Sequence, residues 1–267
     1  MTELINNMGE KSLFASREIS FAAGTREILK PLDLRLDTGL VYGLVGHNGS
    51  GKSTLLKILA KQLTATAGDI LLNGRSLDNW STKEFSRHVA YLPQDIPTVP
   101  NLTVRELVSH GRYPWHGAFR GVSDEDNSYI DDALTLTNIT HMQDRMVNNL
   151  SGGERQRAWL AMLIAQNTSC LLLDEPISAL DISHQMDVMG LIKDLSQQQN
   201  LSVVMVLHDI NIAARFCDRI IALREGELIA DHVSEDLMDP DLLKTIFNMN
   251  MKVIDHPSGK GRVALVD

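Results

Sequence analysis

Cysteine is scarce. Cys170 and Cys217 are the only two among 267 residues, far apart and in no metal-ligand spacing. That excludes a disulfide framework and a cysteine-bound zinc site, and predicts two reduced thiols. Positive charge is also short: 25 Lys and Arg against 34 Asp and Glu leave a formal net charge of −9. A broadly basic surface for nucleic acid is excluded, although a local basic patch is not. No long apolar run exists. The longest uninterrupted one, Ala158–Ala165, falls far short of the roughly 20 residues that span a bilayer. Work at a membrane would therefore need another chain as anchor. Met1–Ser12 is polar and lacks the apolar core of a secretory signal. Internal repeats, low-complexity segments and heptad runs are absent too.

What is present is ordinary globular material. The hydrophobic fraction is 43% and the charged fraction 22%, enough for a substantial core in one large domain or two small ones. Leu32-Asp33-Leu34-Arg35-Leu36 alternates as a half-buried strand does. Leu40–Val45 is an apolar run stopped by glycine and reads as a buried strand, and Thr54–Leu63 reads as the helix after it. Gly68–Asn73 and Val89–Leu92 predict further strands. Leu102 to about Leu163 is helix-rich, with polar loops over 117–126 and 137–149. Cys170–Leu173 and Ser202–Leu207 predict central strands of a parallel sheet, crossed over by a helix at Asp187–Gln198. Ile220–Arg224 and Leu228–Ala230 flank Glu225-Gly226-Glu227 as a hairpin. From Phe247 onward no pattern emerges. The order of elements points to an α/β nucleotide-binding core.

Two segments carry chemistry on their own physics. Gly46-His47-Asn48-Gly49-Ser50-Gly51-Lys52-Ser53 matches G-x-x-x-x-G-K-[ST], follows an apolar strand and opens a helical run continuing through Thr54. Glycines there let backbone N–H groups approach phosphate oxygens, and the helix start favours an anion. Lys52 can reach the β- and γ-phosphates and Ser53 can sit on Mg²⁺, which makes ATP and Mg²⁺ the expected ligands. Leu171-Leu172-Leu173-Asp174-Glu175 is a buried strand delivering two carboxylates to a sheet edge, where open α/β folds bind ligands. Asp174 is a candidate for holding Mg²⁺ and Glu175 for general base.

Leu150-Ser151-Gly152-Gly153-Glu154-Arg155-Gln156, lying between those two segments, is the most specific feature. With it the chain resembles the ATP-binding-cassette (ABC) ATPases from about Leu13 to Phe247. The resemblance implies a P-loop ATPase core with a mixed sheet, an antiparallel β subdomain and a helical insert that carries this signature. The expected limits are a tail over 1–12, the ATPase domain over 13–247 with its insert over about 95–165, and a tail over 248–267. It implies that Ser151, Gly152, Gly153 and Glu154 face the γ-phosphate held by a second copy in a head-to-tail dimer. It also implies that Gln94 contacts Mg²⁺ or the lytic water, that Asp181 in Ser178-Ala179-Leu180-Asp181 crosses the dimer interface, and that His208 contacts the γ-phosphate. Two departures stand out. The aromatic residue that commonly stacks on adenine has no counterpart at Ala22-Ala23-Gly24, leaving Phe21 or Phe14 as substitutes. Ile177 stands where Thr is usual.

Within the family the chain looks most like the ATPase subunits of iron-siderophore and vitamin B12 importers, the ferric-hydroxamate branch above all. Gly111-Arg112-Tyr113-Pro114-Trp115-His116-Gly117 and Leu207-His208-Asp209-Ile210-Asn211-Ile212-Ala213-Ala214-Arg215 carry that likeness. It implies a peripheral subunit at the cytoplasmic face of the bacterial inner membrane. Its implied partners are an integral permease met by the helical insert and, indirectly, a siderophore-binding protein; nucleic acid is not among them. A soluble cassette protein of DNA repair or the ribosome would carry two motif sets or coiled-coil insertions, and an exporter would often carry fused membrane helices. The chain has none of these.

Overall fold

The computed structural model describes residues 12–97, 99, 101–116, 121–257, 259 and 261–267. The polar start over Met1–Lys11 and Gly117 of the insert motif lie outside them. In chain order the strands are β1 (Ser12–Ala23), β2 (Arg26–Asp37), β3 (Val41–Val45), β4 (Ala67–Leu72), β5 (Arg75–Ser76), β6 (Val89–Leu92), β7 (Cys170–Leu173), β8 (Ser202–Val206), β9 (Arg219–Arg224), β10 (Glu227–Val233), β11 (Met251–Asp255) and β12 (Arg262–Val266). The helices are α1 (Lys52–Leu59), α2 (Thr82–Phe85), α3 (Val104–Ser109), α4 (Tyr113–His116), α5 (Asp124–Leu136), α6 (Gly152–Ala165), α7 (Ile182–Gln199), α8 (Ile210–Phe216), α9 (Ser234–Leu237) and α10 (Pro240–Phe247). They form two compact units: the chain up to Trp80 together with Ser196–Asp267, and Ser81–Leu195.

The first unit holds two larger sheets and the β11–β12 hairpin. In one, β3 runs parallel to both β8 and β9, and β9 turns back antiparallel into β10. All five residues of β3 and all five of β8 are buried, as strands covered on both faces must be. The other is antiparallel, in the order β2-β1-β4-β5. On β2 the predicted alternation holds: Leu32, Leu34 and Leu36 are buried while Asp33 and Arg35 face out. Sequence periodicity missed β1, because its pairing shifts between Ser16 and Ile19 and Glu18 takes a left-handed backbone (φ 50°). Helix α1 stops at Leu59, short of the predicted Leu63, because Lys61 turns left-handed (φ 59°).

The patternless tail is corrected too: β11 and β12 pair as an antiparallel hairpin. Most of its side chains are exposed, so no buried face imposed an alternation. A tertiary contact holds it instead. The Asn211 carboxamide on α8 donates to Ala264 O (3.0 Å) and accepts from Ala264 N–H (2.8 Å).

The second unit pairs β6 parallel with β7 and packs α3, α5 and α6 together. Each of these helices begins with a reciprocal cap, Thr103 with Glu106, Ser123 with Asp126 and Ser151 with Glu154. The Ser123 cap starts α5 at Asp124, inside the segment predicted as loop. Arg112 is 3% exposed and joins the three helical stretches: its Nε donates to Asp126 Oδ1 (2.8 Å), its Nη1 to Ala165 O (2.8 Å), and its guanidinium lies 4.1 Å from the Tyr129 ring centre. Burial pulls the Asp126 carboxyl upward, yet the bonds from Arg112 and Ser123 prevail and hold it at about 2. Trp115 remains 36% exposed, its indole N–H donating to Gln166 O (2.7 Å) and its ring flanked by Arg87 and Arg112.

Candidate functional site

In the first unit the phosphate loop leaves the C-terminal end of β3. Gly46 has φ 138°, and a Cβ there would lie 2.0 Å from Leu223 O of β9; a Cβ on Gly51 (φ 101°) would lie 2.5 Å from Leu29 Cδ2. Only glycine fits either position. Gly49 also turns left-handed (φ 77°) but into open space. His47, Asn48 and Gly49 form the exposed tip, while Ser50, Gly51 and Lys52 are buried beneath it. The turn of the β9–β10 hairpin props the loop, Gly226 N–H donating to Ser50 O (3.2 Å).

Helix α1 begins without a side-chain cap and without an acid in its first turn, whereas α3, α5, α6, α8 and α10 all carry caps. A helix start with neither a cap of its own nor an acid in its first turn is the arrangement that suits an anion. Lys52 folds its ammonium back onto Gly46 O (2.9 Å) and His47 O (2.8 Å), across the mouth of the cradle. Ser53 and Thr54 follow it on α1, both half-buried. This donor set fits a polyphosphate.

His208 reaches the same sheet edge. Leu207 N–H donates to Leu44 O (3.0 Å), extending the β3–β8 pairing to the residue before it. Asp209 then caps α8, accepting from Asn211 N (2.7 Å) and Ile212 N (3.2 Å). Beside the loop lies a cavity of about 430 Å³ lined by His47, Asn48, Arg224, Phe247 and Met249, with the His47 and Phe247 rings edge to face at 6.1 Å. Phe14 is 1% exposed inside β1 and is ruled out as a stacking surface; Phe21 is half-buried.

The second unit gathers a different set. Asp174 N–H donates to Leu92 O (2.9 Å), so Gln94, Asp174 and Glu175 leave the β6–β7 pair at one edge. Asp174 is 1% exposed. Burial, with the Asp174 charge adding to it, pushes the neighbouring Tyr91 hydroxyl up to about 12. Glu175 holds a left-handed backbone (φ 53°), a strained geometry worth about 1 kcal/mol for a residue with a Cβ. Ser178 secures it by donating its hydroxyl to Glu175 O (3.2 Å).

Ser151 caps α6, accepting from Glu154 N–H (3.3 Å), while Glu154 Oε2 accepts from Ser151 N–H (2.8 Å). Those bonds, backbone first, hold the Glu154 carboxyl below its usual range. Gly152 approaches Ala179 and Leu180, and Gly153 lies against the ring of His184. His184 in turn holds Asp181. Sequence reasoning missed Gly226, Asn211, His184 and Gln185. A glycine in a hairpin turn was legible; that it reaches the phosphate loop was not.

The family model described as ABC transporter matches residues 29–178, more than half of the chain. The chain belongs to the ABC transporter family. As an ABC cassette it is an ATP-binding ATPase. It is 38% identical over 251 residues to the iron(3+)-hydroxamate import ATP-binding protein FhuC of Bacillus subtilis, covering 94% of this chain and 93% of that one. It is 37% identical to the ferric enterobactin transport ATP-binding protein FepC of Escherichia coli, covering 90% and 89%. Its fold superposes with a TM-score of 0.84 on a chain of an ABC transporter solved in an inward-facing conformation, at 25% identity over 96% of this cassette and 98% of that chain. A dimeric ATP-binding cassette solved in a post-hydrolysis state with ADP and Pi gives a TM-score of 0.71 at 28% identity, over 83% and 98%. Among the described residues of this ABC cassette, no helix is long and apolar enough to cross a membrane.

Proposed function

We propose that this chain is the ATP-hydrolysing subunit of an importer that energises uptake of ferric siderophores, hydroxamates first, from the cytoplasmic face of the cell membrane. The observation that carries the cargo class is the likeness to siderophore-import subunits, at 37–38% identity over 90% or more of this chain. Lys52 and the backbone of Gly46–Thr54 bind the phosphates. Ser53, Asp174 and Gln94 would hold Mg²⁺, which when bound neutralises charge on the phosphates; Mg²⁺ sites draw on one or two carboxylates plus phosphate oxygens rather than on a protein cage. Glu175 takes the proton of the attacking water, Gln94 orients that water, and His208 donates to the terminal phosphate.

Two copies act head to tail, each presenting Ser151–Glu154 and Asp181 to the nucleotide held by the other. Closure on ATP and release after hydrolysis then drive a permease docked on the helical insert. Cargo choice lies with the permease and an external binding protein. The test is uptake of radiolabelled iron, given as a hydroxamate complex, by cells with and without this gene. Unchanged uptake of every ferric siderophore, with no second ATPase able to substitute, would overturn the cargo class while leaving the ATPase assignment intact. A second reading, haem import, draws on 40% identity over 232 residues to the hemin import ATP-binding protein HmuV of Nocardia farcinica. Haem supplied in the same assay separates the two.

A further inference from the structure

We propose that His184 and Gln185, in the first turn of α7, lock the loop from Glu175 to Asp181 to the start of the signature helix α6, so that one copy presents Asp181 and Ser151–Glu154 to its partner as a single rigid surface. This rests on the reading above, in which both motifs face the second copy.

The contacts form a continuous chain. Asp181 Oδ1 accepts the backbone N–H of His184 (2.9 Å) and lies 2.8 Å from its Nδ1. A helix cap needs only the first of these bonds; Asp, Asn or Ser supplies it alone. The imidazole adds a contact that sequence spacing does not suggest. A Cβ on Gly153 would fall 2.5 Å from His184 Cδ2 and 3.1 Å from Nε2, so the ring is seated directly on that glycine. Gly153 therefore lacks a side chain for a steric reason of its own, besides any approach to phosphate.

Gln185 grips the loop from within. Its Nε2 donates to Leu180 O (3.0 Å) and Ile177 O (3.2 Å), while Leu180 N–H also donates to Ile177 O (3.2 Å). Ser178 carries the path back to Glu175, and Gly152 abuts Ala179 and Leu180. The strained backbone of Glu175, the interface loop and the signature helix are thus tied through two adjacent side chains. Both act through the interface loop and the signature helix, so both are positioning residues.

The test uses the full chain carrying Glu175→Gln, which should hold ATP-bound dimers, with and without His184→Ala or His184→Asn. Dimerisation on ATP is read by sedimentation. Turnover is read in the Glu175 parent, and nucleotide binding to the monomer by fluorescent ATP. His184→Ala should weaken ATP-driven dimerisation and lower kcat by roughly three- to tenfold, the effect of one exposed hydrogen bond to a carboxylate, with monomer affinity and melting temperature unchanged. Half of the imidazole is already in solvent, so folding survives its loss. His184→Asn can restore the bond to Asp181 without the ring and should recover part of the loss. Equal dimerisation and turnover in parent and His184→Ala would overturn the inference alone. So would a parallel fall in melting temperature and monomer binding, the mark of a merely structural role. A Glu175→Gln parent that fails to dimerise on ATP would overturn the functional reading and this inference with it.

Discussion

The phosphate loop and the loop from Glu175 to Asp181 both leave buried parallel strands, but different forces hold them. The first is fixed by its backbone: glycines in left-handed geometry, a hairpin turn beneath it and a lysine folded onto its own carbonyls. The second is fixed by side chains reaching in from α7, and its unit is joined by the Arg112–Asp126 pair in the same manner. Backbone-held loops leave a regular expression in the sequence, because glycine has no substitute at such torsions. Side-chain-held loops leave residues whose partners are set by tertiary distance.

The sharpest way to test that contrast is at the chemistry each loop carries. Glu175→Gln should lower ATP turnover by about 10²–10⁴-fold while nucleotide stays bound, and Lys52→Ala should instead lose binding; phosphate release and equilibrium binding separate the two. Near-parental turnover in Glu175→Gln would discard that residue as the base.

Next in size is the backbone claim itself. Gly46→Ala drives a Cβ to 2.0 Å from Leu223 O and should destabilise the protein by about 3 kcal/mol or more. Gly49→Ala, left-handed but facing open space, should cost about 1 kcal/mol. Denaturant unfolding of the pair breaks the comparison if the two variants behave alike.

The side-chain-held unit should show its own acid sensitivity. Asp126 titrates at about 2 in the fold against 3.8 as a free group, so its folded form favours the carboxylate. The contribution is complete above pH 4 and is lost as pH falls through 2. It amounts to about 2 kcal/mol. Asp126→Asn should remove that part of the acid-unfolding profile. An effect of the same size as that of Gly49→Ala is expected for Gln185→Ala, which strips two bonds from Ile177 O and Leu180 O and should cost about 1 kcal/mol in thermal unfolding.

Legibility in the sequence followed the same divide. The leucine alternation of β2, the buried runs of β3, β7 and β8 and the glycine hairpin β9–β10 were all readable, since each is dictated by local period or turn chemistry. Strand β1 was not, because a left-handed Glu18 breaks its period. The β11–β12 hairpin was not, because it stands mostly in solvent and is anchored by Asn211, more than fifty positions away. Trp115 was legible only as part of the insert segment; that its indole is half-covered, bonded to Gln166 and flanked by two arginines was not.

By itself the sequence determined the family, the fold class and the residue types at each candidate position, because phosphate binding and carboxylate chemistry demand particular side chains at short fixed spacings. Tertiary structure alone decided that Gly226 props the phosphate loop, that Phe14 is sealed inside its sheet, and that His184 sits on Gly153. Those contacts join residues about thirty to nearly two hundred positions apart. No local rule of spacing carries such information; close packing of one particular fold does.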